Sequence, residues 1–313
     1  MPAAQHLLIP DAALPLGADG EPAPLAPGPN LSRLLRLLQP TERIALDAFS
    51  PALPYEVAVA RANGLPDTPG HTPWAAFETR TLGQPCAWIQ ACHWQIGMDH
   101  LLMGDPTDLA LSADESQSLL NAMAPLWAED GITLQASALP GTWLARGEPL
   151  RGLPSVSLQR LIGRDVSYWV SGPGPSAQAA RLRRLLSEMQ MLFYTLPANE
   201  AREQRGQLPV NAFWITGAGE LDALPAPGTH QPVVENRLTL AAQRRDAAAH
   251  ASAWQAVDST SCAALLTQAQ SGSPVRLTLC GERAAQTWEL ATPSFWQRLQ
   301  RFGRKTPDLL ATL

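Results

Sequence analysis

The stretch Arg181 to Gly219 reads RLRRLLSEMQMLFYTLPANEAREQRGQLPVNAFWITGAG, and its pattern decides the architecture of the second half of the chain. Leu182, Leu185, Leu186, Met189, Leu192, Phe193 and Leu196 recur at helical spacing, which predicts a long helix from Ser176 to Leu196. Met191 and Tyr194 extend the apolar surface around the cylinder, so the helix is expected to be buried in the fold. Pro197 ends it, Asn199 is placed to cap a short turn through Arg205, and Gly206 closes that turn. Val210 to Thr216 then reads as a buried strand running into a Gly217-Ala-Gly219 loop.

Working outward, Gly172-Pro-Gly-Pro-Ser176 is a break on the N-terminal side of this stretch. Ser157 is placed to cap a helix containing Leu158, Leu161 and Ile162. Gly131 to Ala138 and Thr142 to Arg146 alternate apolar and polar residues across a Pro-Gly turn, which is a hairpin pattern. Ser112-Ala-Asp-Glu115 is a capping box opening a helix that is expected to stop near Ala124, before Pro125. Cys86 to Ile96 mixes Trp, Ile and Cys with Gln and His and predicts a central strand. Nearer the N-terminus, His6 to Leu14 reads as a strand. Asn30 or Ser32 caps a short helix through Gln39 that Pro40 stops, and Tyr55 to Ala62 is a helix closed by Gly64. Beyond Gly219, helices over Leu238 to Val257 and Ser261 to Gln270 precede strands Val275 to Cys280 and Ala285 to Leu290, joined through Gly281-Glu-Arg283. A short basic helix, Ser294 to Phe302, closes the chain.

The fold class that follows is α/β, with α+β character: a mixed sheet flanked by helices, with the long buried helix 176–196 at its centre. The Pro-rich join at Pro149 to Pro154 predicts an N-terminal α+β region over 1–148 and a C-terminal α/β region over 149–313, or one continuous globular domain.

Composition excludes several chemistries. At 313 residues, 45% apolar and 16% charged, the chain lies far from disordered sequences and can bury a sizeable core. A net charge of -5 gives no general attraction for a polyanion, so no nucleic-acid partner is expected. Lys305 is the only lysine, which removes the phosphate-binding lysine of a P-loop and any Schiff-base lysine from the body of the chain. Cys86, Cys92, Cys262 and Cys280 lack the short spacings of a zinc knuckle or redox dithiol and read as buried, reduced thiols. The start of the chain lacks the basic and apolar regions of a signal peptide, and no run approaches the roughly 18 apolar residues of a membrane span. A cytoplasmic location without membrane contact is the expectation.

Among side chains with chemistry, His93, Asp99 and His100 form the densest set of metal-ligand types. Their spacing is not that of two imidazoles on one helix face and no third ligand is marked, so they are weak candidates and no metal or other cofactor is expected. No nucleophile elbow is present, and no catalytic residue is assigned. Gly217 and Gly219, after a strand, could bare backbone N–H groups to a phosphate. A tight strand exit at positive φ also accounts for them, since Leu221 and Asp222 follow Glu220 where a dinucleotide fingerprint needs a third glycine. Between Arg151 and Arg205 eight arginines stand against four acids, a local +4. That suits an anion or acidic-partner surface, or a solvated helix face on which Arg184 and Glu188 pair at i, i+4. Ten tryptophans stand against three tyrosines, and Trp94, Trp169 and Trp214 lie near polar residues.

The run Arg183 to Gly219 resembles a proteobacterial family of RpfE-type regulatory proteins, whose members also carry the label of cofactor-independent phosphoglycerate mutase. Asp99 to Pro106 (DHLLMGDP) and Ser155 to Arg164 (SVSLQRLIGR) are similar to the same family, so the resemblance covers much of the chain from about residue 85 to residue 219. It implies a bacterial regulatory protein and a fold that is a degenerate relative of part of the phosphoglycerate mutase and alkaline phosphatase fold. A cofactor-independent mutase needs two divalent metals held by several Asp and His residues and a Ser that carries the phosphoryl group. The chain departs from that pattern, with no N-terminal Asp-Gly-x-x-Asp motif and six His in all. What remains similar is the segment Asn211 to Gly219. The expected function is therefore a non-catalytic regulatory or binding protein, with a divergent mutase-like phosphotransfer enzyme and a sensor of phosphorylated metabolites or other anions as alternatives. Its ligand-binding residues are expected to be Arg184, Gln190, Asn199, Arg202, Asn211, Trp214, Gly217 and Gly219, and its partner a protein or a small anionic ligand.

Overall fold

In chain order the elements are β1 (Gln5–Ile9), α1 (Pro29–Leu37), β2 (Leu38–Ala45), α2 (Pro54–Ala62), α3 (Trp74–Thr79), β3 (Cys86–Cys92), β4 (Trp94–Ile96) and β5 (Leu101–Met103). There follow α4 (Ala113–Glu129), β6 (Thr133–Ala136), β7 (Thr142–Arg146), α5 (Leu158–Leu161), α6 (Ser167–Ser171), α7 (Ala177–Tyr194), α8 (Pro197–Gln204) and β8 (Ala212–Gly219). The last are β9 (Pro232–Val234), α9 (Thr239–Gln243), α10 (Ala247–Val257), α11 (Ala263–Gln270), β10 (Val275–Cys280) and β11 (Ala284–Leu290). This computed structural model describes residues 5–14, 28–171, 177–226 and 231–290. The expected break at Gly172 to Ser176 and the closing helix Ser294 to Phe302 lie outside them.

Two compact units share the chain, one made of Met1–Asp67 with Pro225–Leu313 and the other of Thr68–Leu224. The boundary expected at 148/149 falls inside the second unit. There β7, ending at Arg146, pairs with β3, and β3 pairs with β8 at residues 212–219, so one ladder joins both sides of the Pro-rich segment.

In the first unit the sheet runs β2-β11-β10-β1-β9. It is mixed: β1 is parallel to β9 and β10, while β10, β11 and β2 are antiparallel in turn. Period-two alternation assigns its faces. Leu7, Ile9, Leu277 and Leu279 pack with Leu31 and Leu34 of α1, Trp254 and Val257 of α10, and Leu265 and Leu266 of α11. Leu8, Cys280, Ala285 and Ile44 pack with Val57 of α2 on the other face. A continuous apolar run such as Leu7-Leu-Ile9 is what burial on both faces requires. Helices thus flank a mixed sheet on both sides, as the fold class predicted.

Pro40, expected to stop α1 after Gln39, lies inside β2 instead, and α1 ends at Leu37. Because β2 is an edge strand, a residue without an N–H is tolerated there, and the ladder shifts register beside it between Thr287 and Trp288. Neither Asn30 nor Ser32 caps α1. The cap position is Gly28, and the capping carboxylate comes from Asp258, at the start of a π-helical turn over Asp258–Cys262. Asp258 accepts from the Leu31 amide at 2.7 Å and the Asn30 amide at 3.2 Å, while Asn30 Nδ2 donates to the Asp258 carbonyl at 3.0 Å. A Cβ at Gly28 would lie 2.3 Å from Asp258 Cγ, so the glycine makes room for the borrowed cap. The helix expected over Leu238 to Val257 is split: Arg245 turns at φ +52, and Asp246 restarts the chain as the cap of α10.

In the second unit the antiparallel sheet runs β6-β7-β3-β8. Ile89, Ala91, Trp143, Ala145 and Phe213 form one face and pack against Leu119, Met123 and Trp127 of α4 and Leu185, Met189 and Phe193 of α7. Trp127 and Phe213 meet edge to face with centroids 5.0 Å apart. β3 is central as predicted but stops at Cys92, and β4 belongs to a separate hairpin with β5. The capping box forms, with the Glu115 amide 3.2 Å from Ser112 Oγ and the Ser112 amide 3.0 Å from Glu115 Oε2. Its helix runs through Pro125 to Glu129, because burial of Met123 and Trp127 on either side outweighs one lost backbone bond. The hairpin β6–β7 is as predicted. Helix α7 is amphipathic: Leu185, Met189 and Phe193 are buried, but Met191 and Tyr194 face solvent, so it lies against the sheet rather than being enclosed on all sides. No helix among the described residues is long and apolar enough to cross a membrane.

The borrowed cap gives a direct test. Asp258→Ala leaves the first turn of α1 with unsatisfied amides, and is expected to lower unfolding stability by about 1–3 kcal/mol in urea titrations.

Candidate functional site

Four of the eight predicted site residues lie on α8 and on β8 with its approach, and each is bound to backbone groups of the second unit. Asn199 is not a cap; it lies inside the first turn of α8 and is buried. Its Nδ2 donates to the carbonyls of Phe193 at 2.7 Å and Val210 at 2.6 Å, and its Oδ1 accepts from the Val210 amide at 2.9 Å. One amide side chain thereby ties the end of α7 to the approach to β8. Arg202, one turn further along, is almost wholly buried. Its Nε donates to the Leu208 carbonyl at 2.8 Å, Nη2 donates to the Leu109 carbonyl, and Nη1 lies 3.0 Å from Glu115 Oε1. Arg205 joins the same carboxylate at 2.6 Å. Burial pushes the Glu115 carboxyl up, but the hydrogen bonds from Ser112 and the Arg202 charge outweigh it and hold the group below its ordinary range.

Asn211 makes a reciprocal pair with the backbone of Trp94, accepting from its amide at 2.7 Å and donating to its carbonyl at 2.8 Å. That pair fastens the chain where it leaves β3 for β4. Trp214 donates from Nε1 to the Val156 carbonyl at 3.0 Å, and its ring packs 6.4 Å from that of Trp94. Arg184 stands apart, exposed on α7 and ion-paired with Asp130 and Glu188. Gln190 is half-buried on the same helix.

Gly217 and Gly219 are not in a loop but in β8. The ladder to β3 passes from Trp88 opposite Thr216 to Cys86 opposite Gly219, so Gly217 and Ala218 form a bulge. Gly217 has φ +63, and a Cβ there would lie 2.9 Å from Trp74 Cβ and 3.1 Å from the Ala75 nitrogen; one at Gly219 would lie 2.9 Å from Pro73 Cβ. The glycines admit the start of α3 against the strand, and the intervening Ala218 amide is taken by Ser155 Oγ at 3.2 Å. The backbone expected to cradle a phosphate is packed under protein.

The weak metal candidates do not assemble. His93 Nδ1 lies 2.8 Å from the Pro209 carbonyl, whereas Asp99 and His100 are exposed in the β4–β5 turn, with the His100 ring folded over Gly97. Among the described residues no three His, Cys, Asp or Glu side chains are grouped to hold a metal ion. The four cysteines are free and buried. Burial pushes the Cys92 and Cys280 thiols up, and pushes Cys262 up to about 12 with Asp258 and Glu235 adding to it. None of these three has thiolate character at neutral pH.

Sequence reasoning missed the exposed face of α7. Arg184, Ser187, Met191 and Tyr194 recur at three- and four-residue steps and form one solvent-facing stripe. The signal is present in that spacing, but apolar type alone assigns Met191 and Tyr194 to the core.

No family model matches the chain, and no curated protein matches it. Among solved structures it is similar to the cofactor-independent phosphoglycerate mutase from Thermoplasma acidophilum, at 12% identity and TM-score 0.36, with 93% of this chain and 91% of that one covered. It is also similar to the PH0037 protein from Pyrococcus horikoshii, at 14% identity and TM-score 0.41, with 100% and 93% covered. The similarity to mutase-like folds is weak, and the resemblance to RpfE-type proteins rests on its motifs alone.

Three substitutions test these ties. Asn199→Ala strips the Val210 amide and carbonyl of their side-chain partner, while the Phe193 carbonyl keeps the Leu196 amide, and is expected to cost about 2–4 kcal/mol in urea unfolding. Gly217→Ala and Gly206→Ala both place a side chain at positive φ, but nothing lies within 4 Å of a Cβ at Gly206. Gly206→Ala should therefore cost about 1 kcal/mol, with Gly217→Ala exceeding it by the clash with Trp74 and Ala75.

Proposed function

We propose that this chain is a non-catalytic regulatory protein that binds a protein partner through the exposed stripe of α7. The observation that supports it is the exposure of Met191 (69%) and Tyr194 (89%), on neighbouring turns of a helix whose opposite face is in the core. Tyrosine, methionine and arginine are the side chains enriched at protein interfaces, because they bury large area and keep a polar or polarisable handle. Arg184 completes the stripe with a charge at its rim. A stripe of this kind is too open to enclose a small molecule, which favours a protein partner over an anionic metabolite.

The anion-sensing alternative has less support. Arg184, Arg202 and Arg205 are held by carboxylates, and the glycine bulge is covered.

The test is capture from a lysate of the source organism by wild type, by Tyr194→Glu, and by Met98→Glu, which alters another exposed apolar side chain on the β4–β5 turn. All three are expected to fold with the same melting temperature, since both positions are solvent-facing. A protein retained by wild type and Met98→Glu but lost by Tyr194→Glu is the expected outcome. Retention of the same proteins by all three, or of none by wild type, would contradict the reading.

A further inference from the structure

The chain leaves β1 through a strained turn that α10 holds by two side chains. Asp11 adopts φ +52, a left-handed conformation that carries a steric cost for a residue with a Cβ, though aspartate tolerates it better than most. His250 and Trp254, one helical turn apart on α10, supply the hold. His250 Nε2 lies 2.8 Å from the Asp11 carbonyl, and Trp254 Nε1 donates to the Ala12 carbonyl at 3.0 Å. The Ala12 amide in turn donates to the Cys280 carbonyl at 2.7 Å, fixing the turn to the end of β10.

A carbonyl oxygen only accepts, so Nε2 carries the ring proton and Nδ1 keeps a lone pair. His250 is fully buried and Nδ1 has no hydrogen-bond partner. A second proton, taken from solvent, would go to Nδ1 and place both a charge and an unmatched donor in the interior. The charged groups on the surrounding elements are disposed otherwise. Asp246 caps α10 through the Ala249 amide, and Arg244 and Arg245 at the end of α9 are exposed. Glu235 and Arg237 pair with each other, and Asp258 faces the start of α1. Asp11 accepts from His250 through its carbonyl, and its carboxylate acts on the buried Cys280 thiol. Burial lowers the pKa of the ring and the Asp11 carbonyl raises it, with burial the larger effect.

We propose that His250 is an acid-sensitive latch: its neutral form holds the Asp11–Ala12 turn against α10, and protonation releases that turn from the C-terminal end of β1. The sign follows from linkage. The released form has an ordinary histidine, which takes up its proton below about pH 6.5, whereas the closed form resists protonation. The latch is therefore fully set above that pH and weakens as the pH falls through it toward the lowered pKa of the closed form.

The experiment is amide hydrogen exchange read as protection factors, at pH 7.5 and pH 5.0, in wild type and His250→Gln. Glutamine can donate to the Asp11 carbonyl and does not titrate. In wild type the Ala12 amide is expected to lose at least tenfold in protection at pH 5.0 while the β10 amides keep theirs, and His250→Gln is expected to hold Ala12 protection at both pH values. Unchanged Ala12 protection in wild type, or an equal loss in the variant, would overturn the proposal. If His250→Gln does not fold, the NMR titration of the wild-type His250 ring decides: a midpoint coinciding with the loss of Ala12 protection supports the latch, and a separate midpoint overturns it.

Discussion

A backbone N–H or C=O that is buried where an element ends must find a partner, and in this chain side chains supply many of those partners. Asn199 closes the gap between α7 and β8, Asn211 the break between β3 and β4, and Asp258 the open end of α1. Trp214, Trp254 and His250 each meet a single loop carbonyl. Elements joined by short, buried turns depend on this arrangement, since an orphaned polar group in the interior costs more than the average hydrogen bond contributes. The polar residues that make the 181–219 stretch distinctive are, in large part, those partners.

Local pattern made several elements legible. The capping box before α4, the alternating β6–β7 hairpin and the β10–β11 pair are set by spacing alone, and the structure carries all three; the first strand, read from His6 to Leu14, ends at Ile9 instead. What spacing could not give was long-range pairing. Gln5 lies opposite Val275, so the first unit draws on both ends of the chain and no boundary near Pro149 could describe it. Proline misled twice for a related reason. Its effect depends on whether the lost N–H had a ladder partner, as at the edge strand holding Pro40, or on how much apolar area the surrounding helix buries, as at Pro125.

The polar residues of the stretch were legible by type and not by role. Asn199, Arg202, Asn211 and Trp214 each meet backbone groups within the second unit, and sequence cannot say whether an amide faces a ligand or a carbonyl two turns away. Arg202 shows the difficulty: an arginine in a basic stretch reads as a surface cation, and it is one of the most buried side chains in the unit, held by two carbonyls and Glu115. Met191 and Tyr194 erred in the opposite sense, apolar by type and exposed in fact. Gly217 and Gly219 were correctly tied to special backbone, but the neighbour they admit is α3.

The claim that these polar residues hold the fold, rather than wait for a ligand, is tested most directly by native-state hydrogen exchange at the amides of Val210 and Trp94, which donate to Asn199 and Asn211. They should exchange only through global unfolding, as slowly as the ladder amides of β3 and β8, and with no change on adding phosphorylated metabolites. Exchange at both amides orders of magnitude faster than in the ladder, or slowed by such a ligand, would show side chains free to turn toward a binding site and would contradict the account.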